Sequence, residues 1–238
     1  MMFPLSHGMI AAQNLTPAGD PYWDSVAALL HFDGDFADST GRIWTPLGGT
    51  ALSGPGVYGV SCVEFTGSAS EGISTPPTQD LNFGSVDFTV EMWVKASDLG
   101  VQRNLIGLYG YSYDRRSWSL YVEDNEIRFR GSESGYGPQT ILVAAPISVL
   151  PIGVFVHLAV SRAADTFRLF VNGEMRAENS GAFAFYSNNV DPIQIGIVGP
   201  DNAAPFHGFI DELRVTRGVA RYQETFDAPS APFPNFGP

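Results

Sequence analysis

The chain has 238 residues, 44% of them hydrophobic and 16% charged, so it folds around a sizeable core rather than remaining disordered. Its net charge is −12 and no Lys/Arg run exceeds Arg115-Arg116, which argues against a nucleic-acid partner, because phosphate neutralisation needs a basic surface. Cys62 is alone, so no intrachain disulfide forms, and no stretch is long and apolar enough for membrane insertion.

The first residues, MMFPLSHGMIAAQNL, carry no Lys or Arg and no apolar core, unlike a secretory signal. With Pro4, Gly8, Pro17, Gly19 and Pro21 and no sustained period, residues 1–23 read as an N-terminal arm that is either disordered or ordered by a partner. Leu29-Leu-His-Phe-Asp-Gly34 then runs into an acidic turn with Asp33, Asp35 and Asp38. Cys62 lies in the strand-like run Val60–Phe65 and reads as a small buried side chain. From Val86 to Lys95, Phe88, Val90, Met92 and Val94 alternate with Thr89, Glu91, Trp93 and Lys95. On that pattern Glu91 is a solvated carboxylate, and Trp93 is exposed or at an interface.

Tyr109-Gly-Tyr-Ser-Tyr-Asp-Arg-Arg-Ser117 is a Gly-containing loop that offers Tyr109, Tyr111, Tyr113 and Arg115. Residues 131–138, with Tyr136, form a second polar loop. Sugars stack on exposed aromatic rings beside polar groups, so these five residues are the candidate glycan contacts. The competing reading is that the tyrosines pack a hairpin or a subunit contact. Trp118, Leu120 and Val122 lead through Asp124-Asn125 to Ile127 and Phe129, a hairpin with Trp118 in the core. Val154, Val156, Leu158 and Val160 alternate with Phe155, His157, Ala159 and Ser161, and Phe167, Leu169 and Val171 end at an Asn172-Gly173 turn. In His207–Thr216, strict alternation puts Phe209, Asp211, Leu213 and Val215 on one face and Ile210, Glu212, Arg214 and Thr216 on the other. The Pro-rich end, residues 227–238, lacks the donors an interior strand needs.

Many strands joined by short turns, with no long amphipathic helix, give two packed antiparallel sheets or a closed barrel. Four segments decide between them: Leu29–Gly34, Asp87-Phe-Thr-Val-Glu-Met-Trp-Val94, Val156–Gly173 and Phe206-His-Gly-Phe-Ile-Asp-Glu-Leu-Arg-Val215. Together they resemble the concanavalin A-like jelly roll, in its laminin-G-like and pentraxin-like branch. That resemblance implies an all-β, two-sheet antiparallel sandwich over residues 24–226, with first and last strands adjacent. It also implies a structural calcium ion between those strands, with Asp33 and Asp211 as the best matches and Asp35 or Asp38 beside them; the competing reading is that these Asp residues are turn formers bonding their own backbone. The glucanases of this fold carry Glu-x-Asp-x-x-Glu or a near variant along one strand, and no such run occurs here.

The closing segment Thr216-Arg-Gly-Val-Ala-Arg-Tyr222, with Phe226, is similar to such domains in tailed-bacteriophage structural proteins. The leading expectation is therefore a non-enzymatic virion protein, a capsid decoration or tail-associated domain at the virion surface. It would be made in the host cytoplasm, dock on other virion proteins through its N-terminal arm, and form a homo-oligomer in keeping with a symmetric particle. The alternative is a carbohydrate-binding adhesin for host-surface glycans. A glycoside hydrolase comes third.

Overall fold

A computed structural model describes residues 18–110, 114–137, 139–199 and 204–238. In chain order the strands are β1 (Val26–Leu30), β2 (Thr45–Leu47), β3 (Ala51–Ser53), β4 (Cys62–Thr66), β5 (Gly72–Thr75), β6 (Phe88–Ala96), β7 (Arg103–Tyr109) and β8 (Arg116–Glu123). They continue with β9 (Glu126–Gly131), β10 (Thr140–Pro146), β11 (Val156–Ala163), β12 (Thr166–Val171), β13 (Glu174–Ser180), β14 (Ile193–Ile195) and β15 (His207–Arg217). The helical segments among the described residues are 3-10 turns at Trp23–Ser25 and Ile147–Val149.

An eight-stranded sheet has the order β13-β12-β11-β6-β15-β4-β3, with β1 beside β15. A seven-stranded sheet has the order β10-β9-β8-β7-β14-β5-β2. All pairings are antiparallel, and β1 lies on the last strand, with Leu30 opposite Leu213. The expected jelly-roll sandwich is therefore present, and barrel closure is not.

The core lies between the sheets. Val90, Met92, Val94, Leu158, Val160 and Leu169 from one sheet meet Ile106, Leu120, Val122 and Ile195 from the other. Aromatic rings fill one end: Phe83 stacks on Phe88 at 4.0 Å and on Trp118 at 4.7 Å, and Phe185 meets Phe88 edge-on at 5.9 Å. Trp118 Nε1 donates to Leu81 O at 3.0 Å, so its polar atom is satisfied at full burial. The hairpin turns fall where the sequence places them. Asp124, Asn125, Asn172 and Gly173 all take positive φ, the primed-turn geometry that matches strand twist.

The phase of β15 departs from the sequence reading. Asp211 pairs with Trp93, but Arg214 pairs with Glu91, so β15 holds one residue more than β6 there. This bulge centres on Glu212, whose φ is 47°. Ile210, Leu213 and Val215 face the core, leaving Asp211, Glu212 and Arg214 together on the outer face. Adjacent acids that strict alternation would separate thus share one side.

That outer face is not solvent-exposed. After Gly218 the chain turns back and runs across the eight-stranded sheet as a strap. Tyr222 and Phe226 stack at 3.6 Å, and Phe226 meets Phe170 at 5.4 Å. Phe226 N donates to Gly173 O at 3.0 Å. A Cβ on Gly173 would stand 1.9 Å from Phe226 O, so glycine is required both by its φ of 77° and by the strap. Phe233 N donates to Glu212 Oε2 at 2.8 Å, and the Tyr58 hydroxyl donates to Pro229 O. The described part of the N-terminal arm packs here too: Asp20 N donates to Phe236 O at 2.8 Å, and a Cβ on Gly19 would collide with Gly237 O. Residues 18–23 and 227–238 therefore belong to the folded body, while residues 1–17 lie outside the described set.

Candidate functional site

The strap covers a buried ionic network centred on Glu91, which the alternation of Phe88–Lys95 reads as a solvated carboxylate. Glu91 is fully buried, not solvated. Arg214 Nε and Nη2 reach its Oε1 at 2.9 and 2.8 Å, while His157 Nε2 at 3.1 Å and the Tyr222 hydroxyl at 2.8 Å reach Oε2. Asp20 joins Arg214 Nη1 at 2.9 Å and Arg221 Nη2 at 2.8 Å, so two carboxylates face two guanidinium groups. Burial pushes Glu91 up, but Arg214 first, then His157 and Arg221, outweigh it and hold the carboxyl down at about 2. Trp93 is half-buried rather than exposed, with Tyr58 edge-on to it at 6.0 Å. Tyr222, Phe226 and Phe233 cover Glu91 and His157 on this face.

The other face differs. In β8 and β9, Trp118, Leu120, Val122, Ile127 and Phe129 point into the core, so Tyr121, Arg128 and Arg130 point outward. Arg130 lies between two rings, 4.2 Å from the centre of Tyr109 and 3.9 Å from that of Tyr121. Its Nη1 donates to Gln139 Oε1 at 2.8 Å. Around this stack is a cleft of about 100 Å³ lined by Gln102, Tyr109, Arg116, Glu123, Arg130 and Gln139. Burial pushes the Tyr109 phenol up to about 12 against the opposing pull of Arg130 and Arg116, so at neutral pH it remains a hydrogen-bond donor. Next to the stack, Ser119 Oγ donates to Asn104 Oδ1 at 2.7 Å, and Asn104 N donates to Ala204 O at 2.8 Å.

The two polar loops singled out in the sequence meet at the cleft's edge. Arg116 N donates to Gly135 O at 3.0 Å, and Ser132 N donates to Ser117 O at 2.9 Å. Of the candidate glycan contacts, Tyr109 lines the cleft and is almost fully buried. Tyr136 is 56% exposed on the adjoining loop. Arg115 pairs with Asp191 at 3.4 Å and Asp114 at 3.7 Å. Tyr111 and Tyr113 lie outside the described residues. Arg130, Tyr121, Gln102 and Gln139 were not picked out from the sequence. A wider polar groove of about 380 Å³ beside β1 has no aromatic wall, and its Arg42 is taken by Asp80 at 3.2 Å.

The four Asp residues expected to hold calcium do not converge as a set. Asp38 accepts from Leu29 N, Thr40 N, Thr40 Oγ1 and Trp44 Nε1, which occupies both its oxygens. Asp35 caps Ala37 N at 2.9 Å. Asp33 Oδ1 accepts from Val60 N at 2.8 Å, and Asp211 Oδ2 accepts from Val57 N at 2.7 Å, so both brace the same loop. Among the described residues no group of three or more His, Cys, Asp or Glu is placed to hold a metal ion. Asp211 Oδ1 is buried without a hydrogen-bond partner, while the other oxygens named here accept N–H bonds from their own turns or from the 57–60 loop. Cys62 is buried as expected, and burial pushes its thiol up to about 11, far from a nucleophile's range.

Two antiparallel sheets packed face to face in this strand order are a jelly roll in architecture. A family profile described as "Concanavalin A-like lectin/glucanases superfamily" matches residues 67–224, and the chain belongs to that superfamily. No curated protein matches the sequence. Among solved structures, the binding domain of Paraclostridial Mosquitocidal Protein 1 superposes with a TM-score of 0.65 at 17% identity, over 83% of this chain and 50% of that one. Domain 4 of AbnA, a GH43 extracellular arabinanase from Geobacillus stearothermophilus solved with arabinotriose, gives 0.63 at 22% identity, over 82% and 94%. The ligand binding domain of botulinum neurotoxin serotype D, solved with N-acetylneuraminic acid, gives 0.63 at 13%, over 84% and 49%. At these identities the likeness is one of fold, and this chain spans about half the length of the toxin domains it matches. No helix among the described residues is long and apolar enough to cross a membrane.

Proposed function

We propose that this chain is a non-catalytic glycan-binding module, an adhesin-type jelly roll whose site is the cleft over β7–β9. The observation that carries this reading is the contrast between the two outer faces: the strap closes one, and the other presents Tyr109, Tyr121 and Arg130 beside Gln102 and Gln139. The amides of Gln102 and Gln139 and the 56% exposed ring of Tyr136 on the adjoining loop are groups that recognise a sugar's hydroxyls and apolar patch, with Tyr109, Tyr121 and Arg130 as the floor beneath them. The similar structures are binding domains, two of them solved with saccharides, which supports the adhesin alternative over the virion reading. The segment behind the phage likeness also has an internal role. Arg221 Nε donates to Thr216 Oγ1 at 2.6 Å, and Tyr222 reaches Glu91, so Thr216–Tyr222 anchors the strap.

Titration with an oligosaccharide panel tests the reading. Gln102→Ala and Gln139→Ala, both half-buried at the cleft, should weaken the best ligand about tenfold, the scale of one or two lost hydrogen bonds. Tyr22→Ala, exposed on the strapped side, should leave binding unchanged. Equal affinities in all of these variants would place the site elsewhere.

A further inference from the structure

The cleft contains a charge that the protein does not neutralise. Arg130 is only 7% exposed, yet no carboxylate of the described residues lies within ion-pair distance of it. Its recorded polar partner is the neutral amide of Gln139, and its Nε is buried without a hydrogen-bond partner. Other deeply buried arginines of this fold are paired: Arg214 with Glu91 and Asp20, and Arg103 with Asp98. Burying a guanidinium without a counter-charge is costly, and the two flanking rings offset only part of that cost. Arg116 also lines the cleft. The carboxylate that does so, Glu123, is already engaged by Arg128 at 3.2 Å.

Resting on the glycan reading above, we infer that the cleft selects an acidic saccharide, one whose sugar ring carries a carboxylate that becomes the missing counter-ion of Arg130. The two tyrosine ring centres lie 4.2 and 3.9 Å from the guanidinium carbon, and neither ring supplies a carboxylate to its N–H groups. An edge of coplanar N–H groups matches a planar carboxylate, whereas a neutral hydroxyl would leave the charge uncompensated. The ligand thus supplies what the fold omits, and binding should weaken as salt rises.

The test is calorimetric titration of the full chain with oligogalacturonate and with the same oligomer fully methyl-esterified, which keeps ring and linkage but removes the charge. The acid should bind at least about tenfold more tightly, the range of a charge-assisted bond. Arg130→Gln should abolish that preference, and Arg130→Lys should restore part of it. If Arg130→Gln does not fold, Arg116→Gln at the same cleft and the ester comparison on the unaltered chain still decide. Equal binding of acid and ester overturns the carboxylate inference and leaves the glycan reading standing, as does binding confined to neutral sugars. An acid preference that survives both Arg substitutions also overturns it. No binding of any saccharide removes the glycan reading as well.

Discussion

Glu91→Ala should lower the unfolding free energy by about 3–5 kcal/mol, the cost of removing one member of a buried ion pair. Four groups converge on this carboxylate, and two of them, Tyr222 and Arg221, belong to the strap. Without it Arg214 keeps only Asp20 as a counter-charge, and the strap loses its central bond. Chemical denaturation measures the loss, and limited proteolysis should show new cleavage between residues 218 and 238. The pH dependence has a definite sign. A carboxyl held at about 2 in the fold, against an ordinary 4.5, contributes stability that is fully present above about pH 4.5. That contribution disappears as pH falls towards 2, so the unaltered chain should lose stability over this window while Glu91→Ala shows a weaker slope. A loss under about 1 kcal/mol with unchanged proteolysis would mean that the strap is held by its aromatic rings alone.

The second large effect runs the other way. Asp211→Asn should raise stability above neutral pH by up to about 4 kcal/mol. Asp211 is fully buried, its Oδ1 has no hydrogen-bond partner, and its neighbours include Glu212 and Asp33. Burial first, then those two carboxylates, push its carboxyl up to about 7 from an ordinary 3.8, against the pull of the Tyr58 and Val57 N–H groups. A group raised in the fold favours folding while protonated, so the unaltered chain loses stability as pH rises from about 4 to about 7. The nearby His31 extends this decline above pH 6.5, because its bond to Glu212 at 2.7 Å raises it above its ordinary value. Asparagine keeps an oxygen for the loop N–H groups and never ionises. The two proteins should match near pH 3.5 and diverge by pH 8 in thermal or denaturant melts. If Asp211→Asn is instead the less stable at pH 8, and added calcium stabilises only the unaltered chain, the carboxylate has a cation partner and the calcium expectation returns.

Local signals and long-range ones differ in how far the sequence reveals them. The core faces of β6, β8, β9, β11 and β12 follow from alternation, because each is half of a two-layer pattern written in adjacent residues. The Asp124-Asn125 and Asn172-Gly173 turns follow from residues that tolerate positive φ. The bulge at Glu212 does not, since Phe-Ile-Asp-Glu-Leu-Arg-Val alternates acceptably without it and only pairing with β6 shows the extra residue. Nor does the burial of Glu91, His157 and Trp93, because their cover comes from residues far away in the chain, Tyr222 for the first two and Tyr58 for the third. The short strands β2, β3, β5 and β14 are three or four residues long and leave no usable period.

The site was half legible. Tyr109 was found because it stands in an aromatic loop, while Arg130 was missed because a lone arginine in a strand looks solvated. The usable signal was phase: Tyr121, Arg128 and Arg130 occupy the positions that Leu120, Val122, Ile127 and Phe129 leave for the outer face. What the sequence could not show is that Tyr109 and Tyr121 would close over Arg130 and bury it.

The most direct test of the glycan reading is an amide chemical-shift titration of the 15N-labelled chain with the tightest oligosaccharide of the panel. The account predicts perturbations centred on Tyr109, Tyr121, Arg130 and Gln139, spreading to the 132–137 loop and leaving the strap unchanged. Perturbations confined to the strapped face, or to the loops at the ends of the sandwich with β7–β9 silent, would contradict it.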